Sequence, residues 1–224
     1  MAREFARTGC RLILAARDAQ ELVCARQDLM QRGAEFLAVP CNVTNQEQVH
    51  SLVGQATQRF GRVDIVVNSA GILQVGPMST TIVEDFATAL DVMSWGALYP
   101  TLAVLPQMRA RRSGHVVNIT SIGGMVSVPH LLPYTCAKFA AVGLSEDLRA
   151  ELGQEGMHVT TLVPGLMRTG SYVQAHFQDQ QEREFTWFTQ GATLPLLAIY
   201  SVSDVRRLRG SPHCSEGRTS IQWS

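Results

Sequence analysis

Long apolar runs, clustered charge and paired cysteines are all scarce in this chain of 224 residues. Lys and Arg together number 19, as do Asp and Glu, for a formal net charge of +0. Basic residues are not clustered through the body of the chain, so there is no electrostatic footprint for a nucleic acid or an acidic membrane. Polar residues interrupt the apolar stretches well before a membrane-spanning length, which argues against a membrane partner. No signal-peptide pattern is visible, because Met1-Ala2-Arg3-Glu4-Phe5 already reads as amphipathic helix. The five cysteines (Cys10, Cys24, Cys41, Cys136, Cys214) are odd in number, scattered and without metal-ligand spacing. They read as small core or surface residues in a reducing cytoplasm, and no metal site is expected. Internal repeats and low-complexity tracts are also missing. What is there is 46% hydrophobic and 17% charged, the balance of one globular domain with a sizeable core.

The most informative residues are Ser121, Tyr134 and Lys138. Tyr134 and Lys138 stand four apart at the start of a segment with helical periodicity, so one turn places phenol and ammonium on one face. A phenol titrates near pH ~10 and is a poor acid or base at neutrality. A neighbouring ammonium favours the phenolate and pulls that value towards the working range. Ser121 closes the apolar run His115-Val116-Val117-Asn118-Ile119-Thr120, which reads as a buried strand. Its hydroxyl belongs at the strand's carboxyl end, where open α/β sheets place ligands. The three together suit proton transfer on an alcohol or carbonyl oxygen. Cys136, between Tyr134 and Lys138, reads as a bland helix residue with no paired His.

Along the chain, strand and helix alternate, the pattern of a parallel sheet covered on both faces. Strands are expected over 12–15, 36–39, 64–68, 115–120 and 158–163. Helices are expected over 2–8, from Asp18 to about Gln31, from a capping box at Thr44-Asn45-Gln46-Glu47 to Gly61, over 82–110 and over 134–152. Gly96 and Pro106 mark kinks or close packing in the long helix.

The strand ends Asn68-Ser69-Ala70-Gly71 and Pro164-Gly165-Leu166-Met167-Arg168-Thr169 add to the Ser121, Tyr134 and Lys138 pattern. In this order and spacing the chain resembles the short-chain dehydrogenase/reductase family over about residues 2 to 199. The resemblance implies an α/β fold, a Rossmann-like doubly wound parallel sheet with helices on both faces. It implies Tyr134 as acid/base, Ser121 as the group orienting the substrate oxygen, and Lys138 holding the nicotinamide ribose. The plain alternative for Ser121 is a strand-end hydroxyl capping a loop.

For the cofactor, Arg17 directly follows the first expected strand, and Ala16 stands where an acidic residue would hold a ribose 2′-hydroxyl. An Arg there suits a 2′-phosphate, so NADP(H) is expected over NAD(H). Asp18 is better explained as a helix cap. By resemblance, Asn42 takes the place of an Asp that touches the adenine amino group, and its carbonyl can still accept that bond. Val43, Asn68, Ala70 and Gly71 would line the adenosine side. Pro164, Gly165 and Thr169 would contact the nicotinamide end.

Three departures stand out. Met93 occupies the place of the family's usual helix Asn in Val92-Met93-Ser94-Trp95-Gly96, and a thioether cannot organise a relay water. Ser94 points about a quarter-turn away around the helix. Either a slower relay or a relative with reduced catalysis is compatible with this change. Second, Met1 falls inside the helix that should follow the family's first strand and Gly-rich, phosphate-cradling turn. A first strand missing from between strands 12–15 and 64–68 would leave a gap at the sheet's centre or force those two to pair, as in a fragment of a longer frame. Third, the last strand is not recognisable. Residues 171–199, with Tyr172, Phe177, Phe185, Trp187 and Phe188, resemble a substrate lid, and an apolar-lined surface hairpin is compatible with that. Residues 200–224 read as an aberrant, poorly ordered tail carrying Arg206-Arg207-Leu208-Arg209, solvated rather than nucleic-acid-binding.

The expectation is an incomplete Rossmann-like domain over 1–199 that moves a hydride between NADP(H) and a small-molecule secondary alcohol or ketone. The lid's aromatics suggest an apolar or bulky substrate. The apolar stripe Ala137, Ala141, Leu144, Leu148 and Leu152 is largely core; by resemblance, helices 82–110 and 134–152 form a homo-oligomer interface. The rival readings are a non-catalytic binding or dimerisation partner and a truncated product that never completes its sheet.

Overall fold

Short β-branched runs alternating with amphipathic helices can bury their apolar sides only in layers. The computed structural model describes residues 1–165, 176–177 and 219–223. In chain order the elements are α1 (Ala2–Arg7), β1 (Arg11–Ala16), α2 (Ala19–Gln31), β2 (Phe36–Pro40), α3 (Gln46–Phe60), β3 (Ile65–Asn68) and β4 (Gln74–Val75). There follow α4 (Val83–Leu90), α5 (Gly96–Ala110), β5 (His115–Ile119), α6 (Leu132–Gln154), β6 (His158–Leu162), β7 (His176–Phe177) and β8 (Thr219–Trp223). A π-helical turn, Asp91–Trp95, joins α4 to α5, and a 3₁₀ turn, Ile122–Gly124, leads from β5 towards α6.

Six strands form one parallel sheet in the order β2-β1-β8-β3-β5-β6, and β4 pairs with β7. Strand alternation divides the core in two. Ile13, Val66, Val116 and Ile221 face α3, α5 and the end of α6, packing with Leu52, Val104 and Leu152. Leu12, Leu14, Ile65 and Val117 face the other way, onto Phe5 of α1 and Leu22 and Leu29 of α2. Helices therefore cover both faces, as expected.

The local signals mostly hold. Asp18 caps α2, accepting from Gln20 N and Glu21 N. The cap of α3 is Asn45, accepting from Gln48 N at 3.0 Å, one residue later than the expected box. Gly61, at φ 84°, ends α3 in the left-handed region that favours glycine. The stretch expected as one helix over 82–110 is two helices joined by the π-helical turn. Gly96 is a close-packing point, since a Cβ there would lie 2.8 Å from Val43 Cγ2.

The expected central gap is filled. β8 lies between β1 and β3, parallel to both, in registers running from Arg11↔Thr219 to Ala15↔Trp223 and from Ile65↔Ser220 to Asn68↔Trp223. Residues 219–223, expected within a poorly ordered tail, are thus a central strand. The reason is that ladder hydrogen bonds are blind to side chains, so a polar segment can satisfy the inner edges of β1 and β3. The Arg206–Arg209 stretch and all of the expected lid except β7 lie outside the described residues.

Candidate active site

β1, β3, β5 and β6 all deliver their carboxyl ends to one edge of the sheet. Ser121 follows β5 in extended conformation and caps the 3₁₀ turn, its Oγ accepting from Gly123 N at 3.2 Å. Pro133 sits in the first turn of α6, the place where a missing N–H costs nothing. Tyr134 and Lys138 follow on that helix. The Ser121 Oγ and the Tyr134 ring meet at Gly123, 3.7 and 3.1 Å from where its Cβ would stand, and Ser121 acts to lower the phenol's pKa. Lys138 is 5% exposed, donates from Nζ to Ile119 O at 3.0 Å, and holds Nζ 5.8 Å from the centre of the Tyr134 ring. The three residues singled out from sequence are therefore together.

Their electrostatics differ from expectation. Burial raises the Tyr134 pKa above its ordinary 10.0, and the neighbouring Ser121 side chain offsets this only in part. Burial lowers Lys138 from 10.5 to about 8. The expected depression of the phenol by the ammonium is thus not what the structure shows. Desolvation acts on both groups and penalises both charged forms.

Two glycines hold the 3₁₀ turn against α6. A Cβ on Gly123 would come 3.1 Å from Tyr134 Cε1, and one on Gly124 would come 2.7 Å from Lys138 O. Sequence reasoning assigned this pair no role. It also missed a buried polar chain beneath the site. Asn68 Nδ2 donates to Asn118 Oδ1 at 2.8 Å, to Ala97 O and to Thr101 Oγ1. Asn118 Nδ2 donates to Ser145 Oγ at 3.0 Å, and Ser145 shares a 2.7 Å bond with Thr161. The signal available was an Asn inside an otherwise apolar strand. Met93 is 3% exposed and packs with Ala89, Val92, Ala137, Ala70 and Tyr134. A cavity of about 10 Å³, room for roughly one water molecule, lies among Asn68, Met93, Asn118 and Thr120. Ser94 turns away and donates to Ala137 O at 3.0 Å.

A family model described as short chain dehydrogenase matches residues 1–180. The chain belongs to that family. Among short-chain dehydrogenases, an uncharacterized oxidoreductase of Staphylococcus aureus is 35% identical over 161 residues, 72% of this chain and 69% of the relative. One of Staphylococcus saprophyticus is 36% identical over 172 residues, 75% and 73% of the two chains. A short-chain dehydrogenase/reductase of Burkholderia phymatum, solved with NAD, superposes with TM-score 0.83 at 25% identity, covering 98% of this chain and 82% of that one. An actinorhodin polyketide ketoreductase solved with NADPH gives TM-score 0.82 at 24% identity, covering 99% and 88%. The chain is thus an oxidoreductase of the NAD(P)-dependent short-chain type, with the family's Rossmann-like fold, and that family acts on small molecules.

The remaining cofactor candidates of this short-chain dehydrogenase lie along the same edge. Arg17 is exposed just past β1, after buried Ala16. Asn42 and Val43 follow β2, where Asn42 Oδ1 accepts from Thr44 N at 3.1 Å and so already serves its own turn. Ala70 and Gly71 follow β3, and Gly71 meets Met93 Sδ at ordinary contact distance, 3.9 Å. Pro164 O accepts from Ile122 N at 3.0 Å, tying the end of β6 to the 3₁₀ turn, with Gly165 next. Thr169 lies outside the described residues. Among the described residues, no helix is long and apolar enough to cross a membrane.

Proposed function

We propose that the chain is an NADP(H)-dependent alcohol/carbonyl oxidoreductase in which Tyr134 exchanges the proton with the substrate oxygen. The observation that carries this is the grouping of Ser121, the Tyr134 ring and a buried Lys138 at the carboxyl edge of a parallel sheet. A nicotinamide bound there supplies or accepts the hydride. Ser121 orients the substrate oxygen, and Tyr134 gives up its proton on reduction and recovers it on oxidation. Lys138 has three donors, and Ile119 O takes one of them. The other two suit the hydroxyls of a nicotinamide ribose, and Pro164 and Gly165 border that half. Arg17, Asn42, Val43, Asn68, Ala70 and Gly71 would hold the adenosine half, with the Arg17 guanidinium favouring a 2′-phosphate.

A secondary alcohol or ketone is the substrate class. The exposed Trp95, Leu102 and Phe139, each at least 45% exposed along the π-helical turn, α5 and α6, support a homo-oligomer through these helices. The reducing cytoplasm suits the free thiols. A second reading, a relative with reduced catalysis that serves as a binding partner, is favoured by Met93 and by the raised Tyr134 pKa.

Fluorescence titration with NADPH and NADH tests the cofactor assignment. Saturable binding is expected, with NADPH preferred. Arg17→Ala should weaken NADPH by roughly tenfold, about 1.4 kcal/mol, while leaving NADH nearly unchanged. Equal loss for both nucleotides would place Arg17 outside the 2′-phosphate site.

A further inference from the structure

We propose that the slot between β1 and β3 is a strand-acceptor site whose best-fitting occupant is an extended peptide with aliphatic side chains at the positions now held by Thr219 and Ser220. Recognition of the present occupant is by backbone. β8 is bonded along both edges, to β1 and to β3. At the entrance Asp64 N donates to Thr219 O at 2.8 Å, and Thr219 N donates to Asp64 Oδ2 at 3.0 Å. Arg62 braces that carboxylate from 3.1 Å on its other oxygen. None of these bonds uses a side chain of the strand, so any extended segment without proline at those positions can make them.

The side chains of β8 fit the slot unevenly. Ile221 is fully buried in the layer with α3 and α5. Thr219 and Ser220 are 0% and 1% exposed, and their hydroxyls have no hydrogen-bond partner among the described residues. Alternation puts Thr219 on the same face as Ile221 and Ser220 on the opposite face, so each apolar layer carries one orphaned hydroxyl. Ser220 lies between Leu12 and Ile65 in register, two residues buried in the apolar layer with α1 and α2. A buried hydroxyl without a partner is disfavoured, and an aliphatic group of similar shape removes that penalty. β8 also follows every other described element in sequence, so its departure requires no other described strand to leave the sheet. The slot thus recognises a strand in general and a more apolar strand in particular.

The test uses the full chain and two lysine-flanked, fluorescein-labelled peptides, Val-Val-Ile-Gln-Trp and Thr-Ser-Ile-Gln-Trp. The chain is refolded from urea with each peptide, and binding is read by anisotropy. The valine peptide should bind saturably at one per chain, roughly tenfold or more tighter than the Thr-Ser peptide. Hydrogen exchange should show the amides of residues 219–223 losing protection while those of β1 and β3 keep theirs. A chain carrying Thr219→Val and Ser220→Val should exclude the valine peptide by a similar factor. No saturable binding, equal binding of the two peptides, equal uptake by the double variant, or retained protection at 219–223 would each overturn the proposal. So would a dimer that grows with chain concentration and ignores peptide, because that would make a second copy the occupant.

Discussion

Gly124→Ala tests whether the 3₁₀ turn positions Ser121 for Tyr134. The added Cβ would lie 2.7 Å from Lys138 O, 2.9 Å from Lys138 C and 3.0 Å from Val142 Cγ2. Two of those atoms are helix backbone, so the turn must move away from α6. Overpacking of this kind costs ~1–3 kcal/mol. At ~2–4 °C per kcal/mol for a chain of this size, the melting temperature should fall by ~2–12 °C. Ser121 caps that turn through Gly123 N, so its hydroxyl moves with it and shifts relative to Tyr134. Turnover should drop by at least about tenfold, equivalent to ~1.4 kcal/mol of transition-state stabilisation, with KM changed less than kcat. Gly54→Ala is the control, since no described residue lies within 4 Å of its Cβ on the exposed side of α3. It should raise stability by ~0.5–1 kcal/mol and leave kcat unchanged. Steady-state kinetics and thermal melts on both variants decide the matter. A folded Gly124→Ala enzyme with unaltered kcat would refute the positioning argument.

Lys138 makes stability depend on pH in a defined direction. Its folded pKa of about 8 lies below the ordinary 10.5, so between these values the unfolded chain binds more protons and stability climbs with pH. Lys138→Met should flatten that rise and be the more stable protein at pH 7, by about 3 kcal/mol at most; parallel melting curves from pH 7 to 10.5 would contradict this. Met93→Asn places a polar group beside the cavity next to Asn68 and Asn118 and should raise turnover with little change in cofactor affinity. Unchanged or lower turnover in the folded variant would make position 93 a packing residue. Asn68→Ala should lower stability by ~1–3 kcal/mol, because it leaves Asn118 Oδ1, in a residue 2% exposed, without its donor. Denaturant unfolding within error of the original chain would show that the buried chain of amides is dispensable.

Much of this architecture could be read because it is local. β1, β2, β3, β5 and β6 are short apolar runs bounded by turn residues, and each lies within a residue of its expected ends. The Tyr134 and Lys138 pairing follows from helical spacing alone. β8 was illegible for the opposite reason: Thr219-Ser220 carries no apolar pattern, and the strand is selected by two waiting ladder edges rather than by its own side chains. The raised Tyr134 pKa was equally hidden, since desolvation is set by what packs over the ring and not by the residue four positions on. Gly123-Gly124 was visible as a pair, but its purpose appears only when α6 is seen pressed against the turn. Asn118 was legible as an anomaly in an apolar strand, though its partners Asn68 and Ser145 are far away in sequence.

The central claim is that the phenol of Tyr134 supplies the proton while contributing little to cofactor affinity. A single-turnover measurement of NADPH oxidation by the full chain, run beside Tyr134→Phe with a panel of ketones, tests it most directly. The account predicts a ketone-dependent loss of NADPH absorbance in the parent chain. In Tyr134→Phe that loss should disappear, while NADPH titrates with nearly the same dissociation constant. Retention of most of the single-turnover rate by Tyr134→Phe, or no ketone-dependent oxidation by a parent chain that binds NADPH, would contradict it.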